Sequence, residues 1–275
     1  QPHREHRRGR VADREPLARG RDPGVVRHAH ARSRAVPGKH HVAREVDLRQ
    51  VGQLAVGRGQ HARVEAELLR SVETSDALLT EIAGHLIRAG GKRLRPGFCL
   101  AAASAYGQVG PSAATHEAVV GSVSVELVHL GSLYHDDVMD DAISRRGTPT
   151  THTVFAGIHA GAGWAGESRR FGEGVAILVG DLAFVMADQL LLDAPRDAWV
   201  IWNELRTELN IGQLLDIVGS VRGDRRLDKA ERICRYKSGK YTVERPLHLG
   251  AVLAAPDRAA ERLWAATGRR VSDAR

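Results

Sequence analysis

The sequence predicts an all-α helical bundle, on three observations. Apolar residues recur at helical spacing in block after block, and no stretch alternates as a strand does. No unit of roughly 20–50 residues repeats, which sets aside solenoids and propellers. The composition is 43% hydrophobic but only 4% aromatic, as expected of a core made from Ala, Leu and Val on helices.

The elements follow in order. From Val64, VEAELLRSVETSDALLTEIAGHLIRAGG has helical spacing and ends at the Gly90-Gly91 pair, a helix stop. RPGFCLAAASAY comes next, with Pro96 at a favoured first position. From His116 to Met139, Val119, Val123, Leu127, Leu130 and Val138 join other apolar residues around nearly the whole circumference, which predicts a buried helix. GVAILVGDLAFVMADQLLLDA, WVIWNELRTELNIGQLLDIVGSV, DKAERICRYKSG, YTVERPLHLGAVLAA and PDRAAERLWAATG complete the helical series.

The formal charge of +7 is unevenly spread. Residues 1–63 hold 15 Lys/Arg against 6 Asp/Glu, whereas residues 64–275 hold 25 against 27. The leader 1–63 lacks Phe, Tyr, Trp, Ile, Met and Thr and has no sustained period, so it cannot bury enough surface to offset its ordering entropy. It reads as a disordered or non-native basic segment, its bias resembling GC-rich DNA read outside its frame. With no aromatic interleaved for base stacking, no nucleic-acid partner is expected. No run is long enough for a transmembrane segment and no signal peptide is visible. Cys99 and Cys234 read as buried free thiols of a cytoplasmic protein.

The chemistry concentrates where the buried helix ends. HLGSLYHDDVMDDAISRRG places Asp136, Asp137 and Asp140 in a DDxxD pattern. Residues i and i+4 share a helix face, so Asp136 and Asp140 project together with Asp137 beside them. Such hard oxygen donors suit Mg²⁺, which takes a carboxylate or two, waters and phosphate oxygens. Carboxylates at the end of a buried helix also demand cations. GGKRLRP supplies Lys92, Arg93 and Arg95 in a glycine-relaxed turn, a credible diphosphate clamp or a basic interhelix turn. Arg145 and Arg146 lie in a loop beyond Asp140, where plain pairing with the aspartates is the alternative reading. Lys237 and Lys240 in RYKSGKYTVERP, and Gln213 and Asp216 in GQLLD, are each three apart on helical segments.

These motifs and their order resemble the trans-isoprenyl diphosphate synthases of the polyprenyl synthetase family, over about Glu65–Arg275. The match is to the actinobacterial geranylgeranyl/polyprenyl diphosphate synthase type, with RRGTPTTHTVF, a short Gly/Trp insertion and RFGEGVAILVGDL. The resemblance implies an isoprenoid synthase-type helical bundle around a central cavity. It implies Asp136, Asp137, Asp140 and Lys237 as catalytic residues, with Asp136 and Asp140 as ligands of Mg²⁺. Lys92, Arg95, His129 and Arg146 would hold isopentenyl diphosphate. Arg145, Lys237 and Ser238 would meet the allylic diphosphate, with Gln213 also substrate-binding. A terpene cyclase, which shares DDxxD, has no need of the first set.

The family also implies a second aspartate-rich motif on a later helix. GRRVSDAR brings Ala274 into register with its approach, and Arg275 follows where Phe would stand. Residues 64–275 are therefore expected to form a partial, C-terminally truncated synthase domain. The implied function is condensation of isopentenyl diphosphate with an allylic diphosphate, in a homodimer. The alternatives are a non-catalytic helical subunit partnering a complete synthase, or an inactive fragment. In this family bulky side chains four and five positions before the first aspartate close the cavity floor. Here Ser132 and Gly131 occupy those positions, Val128 lies a turn below, and Tyr134 points about 160° away around the helix. An open floor and a product of C20 or longer are expected.

Overall fold

The computed structural model describes residues 58–73, 80, 84, 87, 90–106, 115–223 and 225–257. Its helices are α1 (Arg58–Ser71), α2 (Leu94–Tyr106), α3 (His116–Met139), α4 (Thr151–Ala162), α5 (Ser168–Leu190), α6 (Arg196–Arg222), α7 (Leu227–Cys234) and α8 (Arg245–Ala254). A π-helical stretch, Arg235–Glu244, joins α7 to α8. Strands β1 (Ser144–Arg145) and β2 (Thr148–Pro149) form a minimal antiparallel hairpin between α3 and α4.

Helix α3 is the axis of the bundle. Thr115 caps its N-terminus by accepting from the Ala118 N–H. Val119, Val123, Val125, Leu127, Val128 and Leu130 are buried in several directions, because α1, α2, α5 and α8 all pack on it. This is the all-round burial that its sequence predicts. Two acidic residues are buried with them, Glu126 and Asp137, and each has a cation to meet it. Helix α6 leans on the π-helical stretch and α8, with Trp202 and Leu205 fully buried.

Three boundaries differ from the sequence reading. Helix α1 begins at Arg58, before the boundary expected at Val64, and Gln60 is buried within it. The rest of the basic leader, 1–57, lies outside the described residues, as does the GRRVSDAR segment. Helix α2 begins at Leu94, with Pro96 inside its first turn. The segment THTVFAGIHAGA, outside the helical series read from the sequence, is helix α4. It packs along α5 with only Thr151, His152 and His159 buried, so its apolar stripe is too thin to stand out.

Candidate active site

The acidic end of α3 meets partners from three separate elements, two of them cationic. Arg145, held in β1, donates from Nε to Asp137 Oδ1 at 2.7 Å and from Nη2 to Asp136 Oδ2 at 3.1 Å. From α6, Gln213 Nε2 donates to Asp136 Oδ1 at 3.0 Å. From the π-helical stretch, Lys237 Nζ donates to Asp216 Oδ2 at 2.6 Å and lies 3.6 Å from Asp136 Oδ1. The close approach depends on Gly212, since a Cβ there would stand 2.5 Å from the Lys237 backbone nitrogen.

The three aspartates do not play equal parts. Asp136 lines a cavity of about 290 Å³, Asp137 is buried against Arg145, and Asp140 caps the helix end, exposed at the surface. Desolvation, then repulsion from Asp136, push the Asp140 carboxyl above its usual value. Burial raises Asp137 as well, against the pull of Arg145. Burial alone would lower the Lys237 ammonium, but the Asp216 hydrogen bond and the Asp136 charge outweigh it and raise it. A carboxylate pair under mutual repulsion, partly compensated by Lys237 and Arg145, fits a further divalent cation. Among the described residues no cluster of three or more His, Cys, Asp or Glu could hold a metal without help. Mg²⁺ takes a carboxylate or two and fills its remaining positions from water and phosphate.

A second, basic cavity of about 430 Å³ adjoins the first. Lys92, Arg93, Arg95, His129 and Arg146 line it with Gly90 and Gly91. Arg146 adopts a positive φ of 53° and hydrogen-bonds the Gly90 carbonyl, so consecutive arginines diverge: Arg145 meets the α3 carboxylates and Arg146 lines the basic cavity. His129 lines both cavities, and burial followed by the charge of Arg95 and Arg146 lowers its pKa well below the ordinary value. It is a neutral imidazole in a cationic basin. Arg95 also lines both, with Nη2 donating to Thr242 at 2.8 Å and its guanidinium 4.5 Å from the Tyr241 ring centre.

Two neighbours in sequence turn out to be structural. Arg93 is buried with a positive φ of 46°, donating to Glu126 at 2.7 Å, to Glu65, and to the Ile87 carbonyl at 3.0 Å. The central cation of the triplet therefore ties the turn to α1 and α3. Lys240 turns away from the cavity to Glu208 at 2.7 Å, which also receives Arg245 twice at 2.8 Å. Lys237 and Ser238 line the cavity, together with Tyr241, which the sequence reading did not single out. Burial pushes the Tyr241 phenol up to about 12. A ten-residue π turn shifts the facing of every side chain after it, and no periodicity of 3.6 could have revealed that.

The open floor expected from Ser132 and Gly131 is half right. Ser132 lines the cavity with Val128 and Leu133, while Tyr134 is buried elsewhere. Gly131, however, faces α5: a Cβ there would stand 2.8 Å from the Gly180 carbonyl oxygen and 2.9 Å from the Phe184 ring. The space that Gly131 vacates is filled by Phe184, which itself lines the cavity. Lower down, Arg206 lines the wall and is held by Asp188 at 2.7 and 2.8 Å, with Trp202 Nε1 on the same carboxylate at 2.7 Å.

The fold and site together define a helical bundle whose apolar cavity carries carboxylates at one end and a cationic basin beside it. The polyprenyl synthetase family model matches residues 76–273, and the chain belongs to that family. It is 31% identical over 194 residues to nonaprenyl diphosphate synthase of Mycobacterium tuberculosis, covering 70% of this chain and 52% of that protein. It is 36% identical over 206 residues to heptaprenyl diphosphate synthase component 2 of Geobacillus stearothermophilus, covering 74% and 57%. The structure of geranylgeranyl pyrophosphate synthase from Corynebacterium glutamicum, complexed with isoprenyl diphosphate and magnesium, superposes with a TM-score of 0.62 at 31% identity. That match covers 76% of this chain and 61% of the other. The chain thus spans little more than half the length of the curated relatives it matches.

Proposed function

We propose that the chain is the substrate-binding part of a Mg²⁺-dependent prenyltransferase, joining isopentenyl diphosphate to an allylic diphosphate. The observation that carries the reading is the division of consecutive arginines: Arg145 sits on Asp136 and Asp137, and Arg146 on the basic turn. Two diphosphates need two cationic places, and the cavity between them offers apolar walls for a prenyl tail. Asp136 and Asp140 would hold Mg²⁺, which when bound supplies charge neutralisation to the departing diphosphate. Arg145, Lys237 and Ser238 flank that leaving group and Gln213 orients Asp136. Lys92, Arg95, His129 and Arg146 hold the second diphosphate. The neutral imidazole of His129 can donate a hydrogen bond without adding to the repulsion among its neighbours. We place this chemistry in the cytoplasm; among the described residues no helix is long and apolar enough to cross a membrane.

A product of C20 or longer is part of the proposal. Helix α5 contributes the Phe184 side chain to the cavity wall, and α6 contributes Arg206. Phe184 and Arg206 are the two that a lengthening tail has to displace. The site also stands in a proposed homodimer. Leu178, Val185 and Leu192 recur every seven residues along α5 and its end, and each is more than half exposed. The name of the Geobacillus stearothermophilus relative, a component 2, favours a second reading in which the same face receives a different subunit. Sedimentation of the purified chain separates them: a homodimer supports the first, a monomer that dimerises only with a complete synthase the second.

Isothermal titration with Mg²⁺ and each diphosphate tests the site. Asp136→Ala is expected to abolish Mg²⁺-dependent binding of the allylic diphosphate. Arg146→Ala should spare that ligand and weaken isopentenyl diphosphate about ten-fold or more, the loss of a charge-assisted contact. Equal loss of both ligands in Arg146→Ala would overturn the division into two subsites.

A further inference from the structure

The turn between α6 and α7 carries charge in an unusual place. Val221–Arg235 contains six Lys/Arg against three Asp/Glu, although residues 64–275 as a whole hold 25 against 27. Several other cations are matched: Arg145 by Asp136 and Asp137, Lys237 by Asp216, Arg245 by Glu204 and Glu208. Arg222, Lys229 and Arg232 are different. Among the described residues none of them has an ion pair or hydrogen bond. They surround a groove of about 110 Å³ whose floor is Leu215, Val218 and Ile233.

Helical spacing explains the convergence. Leu215, Val218, Gly219 and Arg222 fall at i, i+3, i+4 and i+7 on α6. Lys229, Arg232 and Ile233 fall at i, i+3 and i+4 on α7; Glu231 points off that face, and Asp228 lies one turn before Arg232. Helix α7 has no buried residue, so its amphipathic pattern is not spent on a protein core. At the tip, Val221 is 84% and Leu227 73% exposed, beside Arg222 and Arg225.

We infer that the α6–α7 turn is a docking surface for an anionic phospholipid bilayer. Phosphate headgroups match the three unpaired cations, and the groove floor with Val221 and Leu227 takes the acyl carbon next to the glycerol. Neither element suffices without the other: basic residues without apolar ones dock weakly and reversibly, and two aliphatic side chains without charge have no preference for a membrane. The surface is separate from the diphosphate site and does not depend on that reading.

The test is flotation of the full chain with phosphatidylcholine vesicles, with and without equal parts of phosphatidylglycerol. Binding is expected only to the anionic vesicles and should fall as salt rises. Lys229→Glu with Arg232→Glu should lower it on the order of ten-fold or more, since each basic residue near the surface contributes on that scale. Val221→Ser with Leu227→Ser should lower the portion that survives high salt. Because the leader is itself basic, a matched variant, Arg7→Glu with Arg8→Glu, is run beside them. If the leader variant loses vesicle binding and both turn variants keep it, the inference is overturned. It is equally overturned if the groove cations bind inorganic diphosphate, by titration, while no vesicle binds. A circular dichroism melt unchanged from the parent shows that each variant is folded.

Discussion

The two adjoining cavities share His129 and Arg95 but are built in opposite ways. The basic one is largely a product of short-range sequence: Gly90 through Arg95 supply most of its wall in six consecutive positions. The apolar one draws on α2, α3, α5, α6 and the π-helical stretch, and no two of those elements contribute neighbouring motifs. The comparison teaches that a cationic basin can be written locally, because repulsion spreads its members and backbone turns present them. A cavity for a hydrocarbon tail cannot, because it is defined by what several helices leave empty. The basic cavity still depends on one long-range device, the buried Arg93 bound to Glu126 and Glu65.

Arg93 is therefore the sharpest place to break the contrast. Arg93→Ala leaves the Glu126 carboxylate buried without its cation and is expected to cost about 3–5 kcal/mol in urea unfolding. Lys92→Ala, one position away and exposed, should stay within about 0.5 kcal/mol. Equal costs would show that the triplet acts as one surface cluster. The apolar cavity is tested at Gly131. Gly131→Ala is expected to cost about 1–3 kcal/mol, as overpacking against the Gly180 carbonyl does elsewhere in tight cores. Ser132→Ala, on the cavity side, should be nearly silent. Phe184→Ala should strengthen binding of longer prenyl diphosphates relative to short ones; an unchanged length preference would remove Phe184 from the cavity floor.

The smallest effect lies in pH, and it reports on the wall between the cavities. His129 has its folded pKa lowered by burial and by Arg95, so the unfolded chain binds a proton below about pH 6.5 that the folded chain refuses. Stability should therefore fall as pH drops from about 6.5, by at most about 1.4 kcal/mol per pH unit for this group. His248, also lowered by burial and by Arg245, contributes in the same direction. His129→Gln should flatten the dependence in chemical denaturation between pH 7 and pH 5. An unaltered slope would mean that His129 is not held neutral.

Much of this protein was fixed by its sequence. The all-α class and the buried character of α3 follow from helical spacing, which is local periodicity. The grouping of Asp136, Arg145 and Lys237 apart from Lys92, Arg95, His129 and Arg146 is what the family resemblance of the ordered motifs implies. Tertiary structure decided which members of each motif face the chemistry. Arg93 and Lys240 carry the same charge as their neighbours, yet a left-handed turn and a π-helical stretch send them to Glu126 and Glu208. Gly131 likewise has no side chain with which to announce a direction, and only the crossing of α3 with α5 shows that Phe184 fills its place. Spacing states which residues share a face of their own helix; what that face meets is set by the packing of chain segments distant in sequence.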